Sequence, residues 1–107
     1  MMVVVFRARR TEAGLGDEYA SALKRMEELA TRMPGYIAHK GFVAADGERL
    51  TLVEWESPET LRAWATHPEH VATKRVGRDR FYEAYHVQVC EVKRESRFER
   101  DADAAAE

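Results

Sequence analysis

Three residues within a short stretch carry much of the chemistry open to this chain: Trp64, His67 and His70. Histidine is the side chain whose ordinary pKa lies nearest neutrality, so it is the first candidate for a general base. His67 and His70 stand three residues apart and share a face if the helical turn between them is continuous. Such a pair can also begin a metal site, but the nearest third ligand, Glu69, points elsewhere on a helix, and no metal is expected. Trp64 lies on an apolar face, as a core residue or an aromatic wall. A second group, Tyr82, Tyr85 and His86, stands near the end of the chain. His86 alternates with Gln88 and Cys90, on a face that is either a cavity or the helix side. Arg7 interrupts an apolar strand, as a cavity cation or as the partner of Glu54 or Glu91 across a sheet. Tyr36 reads as a packing residue with a polar tip, and His39, beside Lys40, as a solvent-facing group.

Other chemistries are poorly served. Cys90 is the single cysteine, which rules out an internal disulfide and a cysteine zinc cluster. It lacks a histidine–acid arrangement, and an inert buried thiol is expected. Lys74, Arg75, Arg78 and Arg80 are balanced by Glu69, Asp79 and Glu83, as on a solvated face. With a net charge of -2 the chain lacks the basic footprint of a nucleic-acid binder. No glycine-rich phosphate loop is present. The opening apolar run, Met1 to Phe6, is too short for a membrane span and is followed, not preceded, by arginines. A cytoplasmic protein with no membrane partner is the expectation.

The elements that must position these residues follow from periodicity. Residues 2–9 alternate as a strand, with Val3, Val5, Arg7 and Arg9 on one face and Val4, Phe6 and Ala8 on the other. Residues 11–17 form a loop. Tyr19, Leu23, Met26, Leu29 or Ala30, and Met33 then recur at helical spacing, with Asp17 as N-cap and Pro34–Gly35 as the stop. Strands over Tyr36–Ala44 and Arg49–Trp55 flank an Asp46–Gly47 turn. Ser57–Pro58 starts a second helix, His67–Pro68 interrupts it, and a helical piece follows from Glu69 to Arg80. Phe81 to Val92 reads as the last strand.

The order strand–helix–strand–strand–helix–strand predicts an α+β, ferredoxin-like βαββαβ fold with a four-stranded antiparallel sheet and helices on one face. At 107 residues the chain suits one domain, over residues 1–93, with a polar and mobile C-terminal tail over 94–107. Phe98 is the tail's one large apolar residue and an anchor for a partner subunit on the competing reading. Both faces of several strands are apolar, as in Val3 and Val5 against Val4 and Phe6. A homodimer through the open sheet face is the simplest cover for the second one. Arg7, Arg9, Glu54 and Gln88 would then line a shared cavity or satisfy one another across it.

Met33–Pro34–Gly35–Tyr36, Glu54–Trp55–Glu56–Ser57, Leu61–Arg62–Ala63–Trp64, His67–Pro68–Glu69–His70 and Phe81–Tyr82–Glu83–Ala84–Tyr85, in this order, resemble the antibiotic biosynthesis monooxygenase (ABM) family of dimeric α+β barrels. The resemblance covers residues 2–93. It implies a cavity between sheet and helices that holds a phenol or quinol, and direct reaction of O2 with the deprotonated substrate, without metal, flavin or other cofactor. Trp64, Tyr82 and Tyr85 would supply walls, His67, His70 or His86 the base, and Arg7 the cation. Members of no known function leave room for a second reading, a non-catalytic dimeric domain that binds a small ligand or is structural. Haem-degrading members imply a third. They are similar at Trp64, but their iron-ligating histidine falls on Lys74, a poor ligand when protonated. Their strand-one asparagine falls near Arg7, and His70 is the substitute ligand available.

Overall fold

The computed structural model describes residues 1–100. Four strands, β1 (Met2–Arg10), β2 (Tyr36–Val43), β3 (Arg49–Trp55) and β4 (Tyr82–Glu91), form one antiparallel sheet in the order β2-β3-β1-β4. Helix α1 (Asp17–Ala30) joins β1 to β2. Helices α2 (Pro58–Ala65) and α3 (Pro68–Val76), with a π turn over Gly77–Phe81, join β3 to β4. This is the ferredoxin-like βαββαβ arrangement that the sequence predicts, with all helices on one side of the sheet.

Local chemistry sets the boundaries. Ser57 opens α2 with a reciprocal cap: its side chain accepts from the Thr60 amide at 3.2 Å, and the Thr60 hydroxyl accepts from the Ser57 amide at 3.1 Å. Pro58 and Pro68 begin α2 and α3, where a missing amide proton has no partner to lose. Asp17 is the first residue of α1 rather than its cap; Gly16 takes the cap position, and the carboxylates of Asp17 and Glu18 occupy the first turn. The last helical piece is shorter than its sequence suggests. It widens into the π turn at Gly77, where a methyl group in place of the glycine hydrogen would meet the Tyr82 ring at 2.9 Å.

The core is divided. At one end Met2, Ala30, Trp55 and Trp64 are buried together, with Met26, Leu29, Met33 and Leu61 around them. At the other end Phe81 is 2% exposed and meets Tyr19 edge-on. On the reverse side of the sheet, alternation places Val3, Val5, Leu50 and Leu52, all half-buried with no helix above them. Arg7 lies on that reverse side as well. Its guanidinium grips Glu48 through Nε and Nη2, at 3.2 and 2.9 Å, in place of the Glu54 or Glu91 pairing that alternation suggested. Glu48 is nearer because the Asp46–Gly47 turn folds the start of β3 back beside β1.

Gly35 and Gly47 hold positive φ, 85° and 90°. They differ in surroundings: a Cβ at Gly35 would lie 2.4 Å from the Thr60 side chain, whereas one at Gly47 meets nothing within 4 Å. Gly47→Ala is expected to cost about 1 kcal/mol, and Gly35→Ala about 3 kcal/mol or more, which lowers Tm by roughly 12 °C or more. Thermal unfolding of both variants checks this; equal losses would mean that the approach of the β2 entrance to α2 contributes nothing.

Candidate active site

Between the two halves of the core the helices stand off the sheet and leave a cavity of about 880 Å³. Met2, Val4 and Phe6 of β1 and Thr51, Val53 and Trp55 of β3 form its floor. Helices α1, α2 and α3 form its roof, and Tyr82, Tyr85, Val87 and Val89 its flank. The volume suits a drug-sized or smaller organic molecule, and the lining is mostly apolar with a few polar groups.

Trp64 and His70 stand at one wall. The His70 ring stacks on Trp64 at 4.3 Å with planes 10° apart, and Trp64 stacks on Trp55 at 6.3 Å. His70 Nδ1 lies 3.0 Å from the Trp64 carbonyl oxygen. A carbonyl only accepts, so Nδ1 carries the proton and Nε2 keeps the lone pair. Burial lowers the His70 pKa below 6.5, against the opposing pull of the Trp64 carbonyl and assisted by Lys74 and His67. The ring is therefore a neutral base at pH 7, fixed by stacking on one side and by one hydrogen bond on the other.

His67 has a different task. It is the N-cap of α3, where Nδ1 accepts from the Glu69 amide at 3.2 Å, and its ring tilts against Trp64 at 5.8 Å. It supports the wall without lining the cavity. The proline between the two histidines separates α2 from α3, so His67 and His70 do not act from one helical face. A two-pronged ion pair from Arg25 of α1 to Glu69 of α3, at 3.0 and 2.9 Å, ties the roof helices to each other.

The opposite end is phenolic. The Tyr82 pKa lies far above the usual phenol value, first because the group is buried and then because of the adjacent Tyr19 hydroxyl. Tyr82 thus stays a neutral O–H donor. Tyr85 stacks on Phe6 at 5.6 Å, and its hydroxyl accepts from Arg78 Nη2 and Nε at 2.7 and 3.1 Å. Simple alternation would put Tyr82 and Tyr85 on opposite faces. The register shifts at Arg9/Arg10, so that Arg9 faces Ala84 and Arg10 faces Tyr82, and this bulge turns both tyrosines toward the cavity.

Of the residues singled out in the sequence, Trp64, His70, Tyr82 and Tyr85 meet around one cavity. Arg7, His67 and His86 do not line it; Arg7 and His86 are paired neighbours on the reverse side of the sheet. Tyr19 was missed as a cavity residue, and Arg78 as the partner of the Tyr85 hydroxyl. Tyr19 looked like one more member of a helical stripe, and Arg78 like one of four basic residues on a wet face. Lys74, the position that the resemblance to haem-degrading proteins assigned to an iron ligand, donates from Nζ to the Ala65 carbonyl at 3.3 Å. Among the described residues no three histidine, cysteine, aspartate or glutamate side chains are grouped to hold a metal ion, and no helix is long and apolar enough to cross a membrane.

The depressed pKa of His70 has a consequence for stability. The folded chain binds fewer protons at this site than the unfolded chain, so stability is expected to fall as pH drops through 6.5 and to level off below the folded-state pKa. Urea midpoints for wild type and His70→Gln, from about pH 7.5 to about pH 5, read the effect. The variant should lose less stability across that window; identical losses would place the pH dependence on other groups.

Comparison with known proteins agrees with this geometry. The sequence profile of the family described as antibiotic biosynthesis monooxygenase matches residues 1–76. The uncharacterized protein YqjZ of Bacillus subtilis (strain 168) is 33% identical over 100 residues, which cover 94% of this chain and 86% of that protein. SnoaB, a cofactor-independent oxygenase from Streptomyces nogalater, superposes with a TM-score of 0.72 at 16% identity, over 88% of this chain and 94% of its own. Rv0793 from Mycobacterium tuberculosis does so with a TM-score of 0.73 at 18% identity, over 90% and 98%. The fold, the order of its elements and the profile match together establish that the chain belongs to the antibiotic biosynthesis monooxygenase family.

Proposed function

We propose that the chain is a cofactor-independent monooxygenase of a small hydroxylated aromatic or quinol, and that it works as a homodimer. The observation that carries this reading is the neutral His70 ring on the cavity wall, with its Nδ1 committed to a backbone carbonyl and its Nε2 left as the base. An aromatic substrate would lie between the Trp64 wall and the Phe6–Tyr85 stack. His70 Nε2 takes the phenolic proton. The electron-rich phenolate gives one electron to O2, the two radicals combine at a ring carbon that bears hydrogen to form a C–OO⁻ bond, and the proton held on His70 Nε2 passes to the peroxide to give C–OOH. The O–O bond then breaks as that carbon loses its proton, which leaves a quinone carbonyl and one water, so a phenol and O2 yield a quinone and water. The Tyr82 and Tyr19 hydroxyls are suited to donate hydrogen bonds to the oxygen anions formed on the way. A second copy would cover the reverse side of the sheet at Val3, Val5, Leu50 and Leu52.

The position of Arg7 favours a second reading, a non-catalytic dimer that binds a small aromatic ligand. With Arg7 held by Glu48 outside the cavity, that guanidinium is not available to a phenolate.

Oxygen uptake with a panel of quinols and hydroxynaphthalenes separates the two. His70→Gln is expected to lower kcat/KM by about 10²- to 10⁴-fold, and Trp64→Phe to raise KM more than it lowers kcat. In the wild type kcat/KM should rise with pH through a value below 6.5 and then level, and this limb should vanish in His70→Gln. Ligand binding without oxygen uptake across the panel would establish the non-catalytic reading instead.

A further inference from the structure

A line of aromatic rings leads out of the cavity at its tryptophan end. Trp64 and Trp55 both line the cavity and stack at 6.3 Å, with planes 24° apart. Tyr36, opposite Trp55 in the β2–β3 register, meets that indole edge-on at 5.8 Å. Centroids this far apart leave ring edges in or close to contact, so an electron crosses each step without large movement of the protein. The Tyr36 hydroxyl lies 2.5 Å from His39 Nδ1, and His39 Nε2 lies 3.7 Å from Glu27 Oε1 of α1. A carboxylate only accepts, so the imidazole proton belongs on Nε2 and Nδ1 keeps its lone pair for the phenol. A bulge makes this contact. Residues three apart in a regular strand face opposite ways, but the register shifts between Tyr36 and Ala38. Tyr36 then opposes Trp55, His39 opposes Val53, and both turn to the helix side. His39, expected from the sequence to face solvent, is thereby aimed at α1, with 29% of its side chain still exposed. Among the described residues Tyr36 is the one tyrosine whose hydroxyl meets a base. Tyr82 is hydrogen-bonded to Tyr19, and the Tyr85 hydroxyl accepts from Arg78.

We propose that Trp64, Trp55 and Tyr36 form an electron-transfer path that carries an oxidising equivalent from the cavity to the protein surface, with His39 as the proton acceptor at its end. Loss of an electron makes a phenol O–H strongly acidic, so a tyrosine is readily oxidised only where a base takes that proton. Burial, and then the Glu27 carboxylate, raise the Tyr36 pKa, which keeps the ring protonated at rest and leaves its oxidation dependent on His39. The path protects a site in which O2 meets organic radicals. That use rests on the oxygenase reading; the path itself does not. An oxyl radical RO•, left when a substrate hydroperoxide breaks homolytically, takes one electron from Trp64 and one proton from water, and becomes ROH. Trp55 then reduces Trp64, and Tyr36 reduces Trp55 as its proton passes to His39 Nδ1. The imidazolium so formed is paired by Glu27, and a neutral phenoxyl radical stands on Tyr36. A thiolate at the surface returns the electron, His39 returns the proton, and a thiyl radical leaves. The proton given up by the thiol replaces the one taken from water, so the sum is RO• and a thiol to ROH and a thiyl radical.

Pulse radiolysis in azide solution tests the path without turnover. Azide radicals oxidise tryptophan selectively, and both tryptophans of the chain belong to the path. In the wild type the green absorption of the tryptophan radical is expected to give way to the violet band of a tyrosyl radical. The rate should be independent of protein concentration and slower in D2O. Tyr36→Phe should abolish the conversion, and Tyr85→Phe should leave it as it is. His39→Leu should slow it about a hundredfold, as the loss of a positioned base does, although Tyr36 is still in place. Under continuous azide-radical exposure with glutathione present, Tyr36→Phe should lose its tryptophan fluorescence faster than the wild type. The wild-type kinetics decide the matter even where a variant does not fold. A wild-type tryptophan radical that decays with no tyrosyl band, or a conversion unchanged in Tyr36→Phe, overturns the path whatever the oxygen uptake. An unchanged rate in folded His39→Leu overturns the part given to His39. Intact conversion with no oxygen uptake from any quinol keeps the path and overturns the oxygenase reading.

Discussion

The column of Trp55, Trp64 and His70 is where the fold and the site depend on each other. Trp55, at the end of β3, is fully buried, and Trp64 reaches it from α2. His70 is stacked against the outer face of Trp64 and hydrogen-bonded to that residue's own carbonyl. The Ser57–Thr60 cap and Pro58 set where α2 begins, and so which residue points at Trp55. His67 and Pro68 end that helix and start the next, which brings His70 back over the indole. A shift of one residue in either start would break the column. The packing that seals one end of the core is therefore also what fixes the tautomer of His70.

A single layer of helices also accounts for the empty middle. The roof rests on the sheet at two ends, through the tryptophans at one and through Phe81 and Tyr19 at the other. Short helices separated by His67–Pro68 and by the π turn leave the centre unfilled. An apolar void of this size forfeits contacts that a filled core would make.

Much of this was legible in the sequence, because the signals were local. Alternation located all four strands, the Asp46–Gly47 pair located the hairpin, and Pro34–Gly35, Ser57–Pro58 and His67–Pro68 marked the helix boundaries. Trp64 and His70 stood out by residue type and reached the same wall. What failed depended on contacts distant in sequence. Arg7 found Glu48, some forty residues away, only because a turn folds back, and its face was set by the sheet rather than by its own neighbours. Tyr19 became a site residue through Tyr82, and nothing in the stripe of α1 distinguishes it from Leu23 or Met26. Gly77 looked like part of a helix, yet its lack of a side chain is what lets Tyr82 lie against the π turn.

The bulge opposite Arg9 and Arg10 behaves like a frameshift in the two-residue code of a strand. Upstream of it the odd and even positions of β4 exchange faces, so the pair Tyr82 and Tyr85 has an orientation that no pattern within the strand encodes. Position-by-position alignment of relatives that lack the extra residue would equate side chains that face opposite ways. Losing Glu83 would be expected to turn one of the two phenols out of the cavity while leaving every neighbouring residue type unchanged. At this end of the site, chemistry is inherited through strand register as much as through residue identity.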